Sequence, residues 1–500
     1  MDGLWRRLDV SVMDMARYVI PTVAVSAIYS AFRSYYYTNT PASVSIRTVD
    51  EAIKLLNANV DTQEALRFLQ EHRPGDNSYL QSLCPRALGV LALRGSELCK
   101  HVPVNTFERD DDDLTFSKLL AKLSIGNEWD SRLAWINRVA CPEEDLACSD
   151  EWFTRRPSQV WRLLQLLRFL FLKTESPFNP SMIGGEILPG PTYANAIFTS
   201  EWLPLLASLV NHGISLEERL LSHKICQNAL NTLGVVNYQL RSDIYELFLP
   251  DKEPVVDLIL IHGLCGSVAY TWRQKDHASN IVSDCWPKDW LHLDISDPMR
   301  ILGLDYPSYI MQFTGAIESL QVRADRFKHQ LDAAGVGKRP VIFICHSMGG
   351  LLAKQLLLDL PELAKKTVGL LFIATPHRGS PIASWGYPIF HPTADVLFLL
   401  EENPLNRKLN EEFSSISDKI PVIVSMAETK ESDLIGRAKG LIVPTQSAVF
   451  EKGAVYHIEE VHHNVCKPSE RTSPSYGVVL NFIRDSIHAA KKMKYKNKGN

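Results

Sequence analysis

The chain has 500 residues, with 45% hydrophobic and 22% charged side chains, so it is an ordinary folded protein of about two to four domains. A net charge of −4 gives no overall attraction to nucleic acid or to anionic lipid. Nine cysteines, odd in number and without a C-x-x-C pair, exclude a disulfide framework; there is no zinc-finger spacing, P-loop or G-x-G-x-x-G, so neither a metal nor a cofactor is expected.

Residues 1–47 read as an anchoring or targeting segment. Tyr18–Phe32 is uncharged and flanked by Arg17 and Arg33, but as a helix it would extend only roughly 22 Å, short of a ~30 Å hydrocarbon core. A signal anchor, an organelle-targeting element and a buried helix compete. Asp2, Asp9 and Asp14 disfavour a matrix transit peptide, which is poor in acids.

Residues 48–250 carry helical periodicity. Phe116–Leu133 and Pro157–Lys173 are amphipathic to apolar, Ser200 precedes an apolar run from Trp202, and Ser215-Leu216-Glu217-Glu218 is a capping box. Several short helices without strands predict a stacked array of armadillo or HEAT type, although no clean repeat is found. The acidic run Asp110–Asp113 and the stretch Gly184–Pro191 read as loops.

Near residue 250 the pattern changes. Strands are predicted at Val255–Ile261, Ile301–Tyr306, Val341–Cys345, Val368–Ala374, Pro421–Met426 and Leu441–Val443. Helices lie between most of them, at Ser319–Ala333, Leu351–Leu358 and Ser475–Ala490. Buried strands alternating with helices make residues 251–490 a doubly wound, mostly parallel α/β domain. The lysine-rich end, 491–500, reads as a frayed basic tail.

The chemistry centres on Cys345-His346-Ser347-Met348-Gly349-Gly350. A serine at a strand-to-helix turn is a nucleophile elbow, raising its Oγ above the sheet edge at a helix N-terminus. Cys345 stands where the usual G-x-S-x-G pattern has its first glycine, so the turn alone reads equally as a serine capping a helix. A serine nucleophile needs a histidine oriented by a carboxylate, and in this fold the chain order is Ser, acid, His. Glu428 sits at a strand end and is favoured as the acid, with Glu431 and Asp433 as rivals in the loop beyond. The base is His462 or His463, between the last strand candidates and the final helix. His346 and His377 read as structural. The oxyanion donors are the backbone N–H groups of Leu264, after His262-Gly263, and of Met348; a β-branched residue at Gly263 is expected to harm this geometry. The apolar run Val396–Leu400, within 381–418, reads either as a lid and acyl pocket or as an ordinary buried helix.

With these motifs assembled, residues 254–488 resemble the serine active site-containing protein 1 family, a lipase-like branch of the α/β-hydrolases. The resemblance rests on Leu260-Ile261-His262-Gly263-Leu264, Thr271-Trp272-Arg273-Gln274 and Cys285-Trp286-Pro287-Lys288-Asp289-Trp290-Leu291. It continues through Ala334-Gly335-Val336-Gly337, Cys345–Leu352, Pro376-His377-Arg378-Gly379-Ser380 and Asn464-Val465-Cys466-Lys467-Pro468. It implies that a non-glycine residue is tolerated at Cys345, that His462 is the base and that Glu428 is the acid. It further implies a membrane-associated serine hydrolase or acyltransferase at mitochondrial or endoplasmic-reticulum membranes. The expected role is remodelling of phospholipid acyl chains, phosphatidylglycerol in particular, with consequences for cholesterol trafficking. The N-terminal half resembles the family loosely, and a protein partner could dock on its helices. A silent interaction scaffold, and a peptidase or thioesterase on the same fold, are the alternative readings.

Overall fold

The computed structural model describes residues 46–72, 78–102, 194, 195, 197–199, 202–213 and 215–496, apart from 276–283, 307, 309–318, 382, 384–393 and 434–438. Tyr18–Phe32, Asp110–Asp113, Phe116–Leu133, Pro157–Lys173 and Gly184–Pro191 lie outside the described residues. The chain forms two compact units that divide at Tyr79.

In the first unit, α1 (Val49–Asn57) and α2 (Thr62–His72) pack together. The Thr48 side chain accepts the Glu51 N–H at 3.2 Å, and Ala52, Ile53 and Leu56 form the buried stripe of α1.

The second unit begins with three helices, α3 (Pro85–Leu93), α4 (Trp202–His212) and α5 (Leu216–Thr232), packed against one another. Gly89 is where α3 meets its neighbours: a Cβ there would lie 2.5 Å from the Phe198 ring and 2.8 Å from Leu230. The capping box at α5 is formed, Ser215 Oγ accepting from Glu218 N–H and the Glu218 carboxylate accepting from Ser215 N–H.

A seven-stranded sheet follows. Its strands are β1 (Ile244–Phe248), β2 (Val256–Ile261), β3 (Met299–Leu304), β4 (Val341–His346), β5 (Thr367–Ile373), β6 (Val422–Glu428) and, after the two-residue pair β7 (Ser432–Asp433) and β8 (Lys439–Gly440), β9 (Ala454–Ile458). The spatial order is β1-β3-β2-β4-β5-β6-β9; β1 is antiparallel to β3 and every other pairing is parallel. Strands β2 to β5 are buried along their whole length, as a sheet covered on both faces requires. The covering helices are α6 (Leu320–Ala333), α7 (Gly349–Asp359), α8 (Pro404–Ser417) and α9 (Pro474–Lys496). The architecture is an α/β-hydrolase-like, mostly parallel sheet preceded by helices.

Three differences from the sequence expectations have physical causes. β1 falls inside the segment read as helical, because Ile-Tyr-Glu-Leu-Phe carries a glutamate. Glu246 is nonetheless buried, its Oε2 accepting from the Tyr238 hydroxyl at 2.6 Å, and burial raises its carboxyl pKa to about 7. Leu441–Val443 is not a strand. Val443 instead packs with Ala427 and Ala448, and the sheet ends on β9, whose first four residues are exposed and carry no buried pattern. The lysine-rich end is helical to Lys496 rather than frayed, with Lys491 paired to Asp297 at 2.6 Å.

The amino ends of the central strands are tied by charge. Asp257 on β2 accepts from Arg300 on β3 at 2.8 Å and from Arg339 before β4 at 2.9 Å, and the Arg300 guanidinium also donates to Ala334 O. The carboxyl ends of the strands are left for the site, as open parallel sheets dispose them.

Candidate active site

β4 ends at His346 and α7 begins at Gly349, leaving two residues for the turn. Ser347 takes φ +53, a left-handed conformation that costs a residue with a Cβ on the order of 1–3 kcal/mol. The turn is held by its neighbours: Ser347 N–H donates to Ile373 O at 2.8 Å, and Gly350 N–H donates to Ser347 O at 3.0 Å. The glycines after the serine are obligatory. A Cβ on Gly349 would stand 2.4 Å from Ile261 O, and one on Gly350 would stand 2.2 Å from Thr375 Oγ1. Cys345, by contrast, lies in regular ladders with Ile261 and Phe372, and its side chain joins the core. The elbow needs glycine after the serine and tolerates cysteine before it. Burial raises the Cys345 thiol well above its ordinary pKa, which keeps it protonated.

The structure brings three of the sequence-selected residues together. His462 Nε2 lies 3.1 Å from Ser347 Oγ, and His462 Nδ1 lies 2.5 Å from Glu428 Oε2. All three are buried, Ser347 and His462 at 6% and 5% exposure and Glu428 at zero. Glu428 is the last residue of β6, and His462 hangs from the turn after β9, the strand beside it. His463 points elsewhere, its ring nearly perpendicular to that of His462. Asp433 is exposed and paired with Lys439 in the β7–β8 hairpin, and Glu431 is exposed at its start. Neither rival reaches the imidazole.

Two supports were not legible in the sequence. Val443 N–H donates to Glu428 Oε1 at 3.0 Å, so the carboxylate spends one oxygen on the backbone and presents the other to His462. His346 Nε2 lies 3.1 Å from His462 O and holds the turn that carries the imidazole. Burial first, then the charges of His462, His463 and Lys467, hold His346 well below its usual pKa, so it is a neutral ring whose Nε2–H donates.

The oxyanion side is built by β2. A Cβ on Gly263 would be 2.6 Å from Ser347 Cβ, so only glycine lets this turn pass the serine. His262 is fully buried, stacked on Tyr306 at 4.2 Å, with Nδ1 2.9 Å from Gly263 O and Nε2 3.2 Å from Tyr306 N. The Tyr306 hydroxyl donates to His262 O at 2.5 Å, and the Ser308 hydroxyl donates to Gly263 O at 3.2 Å. The following backbone N–H, of Leu264, and that of Met348 make no hydrogen bond among the described residues. One unspent donor follows the Gly263 turn that passes Ser347 and the other follows the serine itself, so both are available for a developing oxyanion.

The 381–418 insert is pinned at its base. Asp395, at the start of a short helix (Ala394–Phe398), makes a bidentate pair with Arg323 of α6 at 3.0 and 3.1 Å, both side chains almost fully buried. Val396 and Leu399 are buried and Leu397 is exposed, as in a helix seated on the core.

Residues 253–447 match the family described as PGAP1-like alpha/beta domain, a span that includes Ser347 and Glu428 and stops before His462. Protein SERAC1 of Danio rerio is 31% identical over 357 residues, covering 65% of this chain and 54% of that protein. Protein SERAC1 of Homo sapiens is 31% identical over 355 residues with the same coverage. The chain therefore spans about half the length of the curated relatives it matches. Among solved structures, the mature lipase BlEst2 of Bacillus licheniformis is 14% identical, covers 47% of this chain and 97% of that one, and superposes with a TM-score of 0.33. Over 65% of its length the chain thus resembles the serine active site-containing protein 1 family, as its motifs led us to expect.

Proposed function

We propose that the protein is a serine hydrolase of lipid acyl esters. The observation that carries the reading is the unbroken chain from Glu428 through His462 to Ser347, at 2.5 and 3.1 Å, on a turn with positive φ. Ser347 Oγ attacks the ester carbonyl while His462 Nε2 takes its proton. Glu428 fixes the tautomer with Nδ1–H toward the carboxylate and stabilises the imidazolium as it forms. The negative charge on the former carbonyl oxygen is met by the Leu264 and Met348 N–H groups. His462 then protonates the leaving alcohol, and the acyl-enzyme is resolved by water, giving hydrolysis, or by a second alcohol, giving acyl transfer.

The finer reading follows the resemblance: phospholipid, and in particular phosphatidylglycerol, as substrate; mitochondrial or endoplasmic-reticulum membranes as location; and an armadillo-like array in 48–250 that offers a docking face. Tyr18–Phe32 supplies the anchor in this reading. Among the described residues no helix is long and apolar enough to cross a membrane. A fluorophosphonate probe tests the chemistry: it should label the folded wild type and not Ser347→Ala. Absence of labelling in folded wild type would refute the enzyme. Carbonate extraction of the tagged protein tests the anchor.

A further inference from the structure

The carboxylate of Glu428 is fully buried, and its Oε1 is satisfied by the Val443 N–H at 3.0 Å. A donor inside a strand is aimed by its ladder. Val443 has no such frame, because it lies between β8 and a short helix (Thr445–Ala448), outside both sheets. The direction of its N–H must be fixed by something else, since a buried carboxylate oxygen left without a donor is costly.

The turn after β5 supplies that support. It carries Pro376-His377-Arg378-Gly379-Ser380, a motif to which the triad itself gives no part. The Ser380 hydroxyl, in a buried residue, donates to Ile442 O. This carbonyl and the Val443 N–H belong to one planar trans peptide, so holding the oxygen on one side aims the hydrogen on the other. Hydrogen bonding at the carbonyl also polarises the peptide and strengthens its N–H as a donor. The Ser380 hydroxyl, the Ile442–Val443 peptide, the Glu428 carboxylate and the His462 imidazole thus form one series, which ends 3.1 Å from Ser347 Oγ.

Ser380 is itself fixed from two sides. Its N–H donates to Leu399 O at 2.8 Å, and the preceding Gly379 takes φ +86 where a Cβ would stand 2.7 Å from Leu400 O. Across the turn, Ser447 Oγ accepts the Arg378 N–H at 3.1 Å and donates to Gly379 O at 2.6 Å, while Ser447 O accepts the His377 N–H at 2.9 Å. Residues 377–380 and 442–447 are therefore clasped by two buried serines and the main chain; the His377 ring faces Lys354 instead.

We propose that Ser380 is a positioning residue for the acid: by holding the Ile442–Val443 peptide it aims the Val443 N–H at Glu428 and so sets the carboxylate that orients His462. Without the hydroxyl the peptide is free to turn, Oε1 loses its donor, and the carboxylate no longer holds Nδ1 in one place. The proposal rests on the hydrolase reading for its kinetic consequence, while hydrogen exchange tests it independently.

Steady-state kinetics on a neutral p-nitrophenyl ester separate positioning from stability. In Ser380→Ala kcat should fall about tenfold with KM little changed, and Ser380→Thr, which keeps the hydroxyl, should recover most of the loss. Ser222→Ala removes an equally buried hydroxyl, one that donates to Glu218 O at 2.7 Å within α5, and should leave kcat unchanged. Exchange of the Val443 amide with deuterium, read by mass spectrometry, should accelerate about tenfold in Ser380→Ala and not in Ser222→Ala. Unchanged kcat and unchanged Val443 exchange in Ser380→Ala would overturn the assignment, and so would a fall in kcat that Ser222→Ala reproduces. If Ser380→Ala does not fold, Ser447→Ala carries both measurements, with smaller changes in the same direction expected and none refuting the clasp. If wild type hydrolyses no ester and takes no fluorophosphonate, the hydrolase reading fails. Val443 exchange then decides the positioning role alone, equal rates in wild type and Ser380→Ala refuting it.

Discussion

Two histidine-centred clusters flank the helix that follows the nucleophile, and the same side-chain types do opposite things in them. At the head of α7, His462 links a buried carboxylate to the hydroxyl of Ser347. Two turns along α7, Lys354 Nζ links His377 to Asn410, inside a cage of Phe372, Phe413 and Phe450. The first chain runs from an acid through a base to a nucleophile held at positive φ. The second runs from an amine to an imidazole and an amide, with neither a carboxylate to orient the ring nor a hydroxyl for it to deprotonate, and Asn410 donates to His377 O at 2.6 Å. A buried histidine in a hydrolase fold is therefore no guide to catalysis. What decides its role is the group at each end of the imidazole.

This contrast can be attacked from both sides. The largest effect belongs to Ser347→Ala, which should lower turnover of a neutral p-nitrophenyl ester by on the order of 10⁴-fold or more without lowering the thermal midpoint. Retained turnover would move the chemistry elsewhere. Glu428→Gln keeps an oxygen for the Val443 N–H but no longer fixes the His462 tautomer; a loss of roughly 10³–10⁴ in kcat with KM little changed is expected from steady-state kinetics. His377→Ala should instead act on the fold. It strips a fully buried amine of one of its two partners and opens a cavity beside Phe450, for a loss of about 3 kcal/mol in urea unfolding, while turnover of the folded fraction falls less than tenfold. A catalytic loss as deep as that of Ser347→Ala would erase the distinction between the clusters.

The smallest effect is on pH dependence, and it draws on both clusters. Burial holds His346 and His377 well below their ordinary pKa, and His223 at about 4. Each stays neutral in the fold while its unfolded counterpart takes up a proton below about pH 6.5, so each contributes stability that is present above that pH and lost as pH falls below it. Glu246, raised to about 7, works the other way between its unfolded value and 7. His463, lowered by burial and by the charges of His462 and Lys467, adds in the same direction, so four histidines act against one glutamate and stability rises with pH up to about 6.5. Urea midpoints at pH 7.5 and 5.5 should show the higher stability at 7.5, and equal midpoints would refute the neutral-histidine assignment.

The central sheet was legible because β2, β4 and β5 each carry an apolar run of four or five residues, Leu258–Ile261, Val341–Cys345 and Leu370–Ile373, a pattern that parallel strands buried on both faces impose. β1 and β9 were not legible, for complementary reasons. β1 hides a buried glutamate, and β9 is exposed along four of its five residues. Neither carries the hydrophobic signature by which strands are found. At the site, chain order and strand ends pointed to Ser347 and favoured Glu428, and narrowed the base to His462 or His463, since topology places those positions together; the choice of His462 came from the family resemblance. The hydrogen bonds that orient them, from Val443 to Glu428 and from His346 to His462 O, join residues 15 and 116 positions apart and leave no local pattern.

The separation of Ser347 from His462 by 115 residues also has a consequence in time. Made from the N-terminus, the chain completes β4 and its elbow well before the edge strand β9 and the turn that holds the base. Until those last segments dock, the serine is an ordinary hydroxyl with no imidazole to take its proton. If Ser347 is the nucleophile proposed above, a nascent or C-terminally clipped chain lacks its base, and reactivity at Ser347 reports that the sheet has closed as far as its final strand.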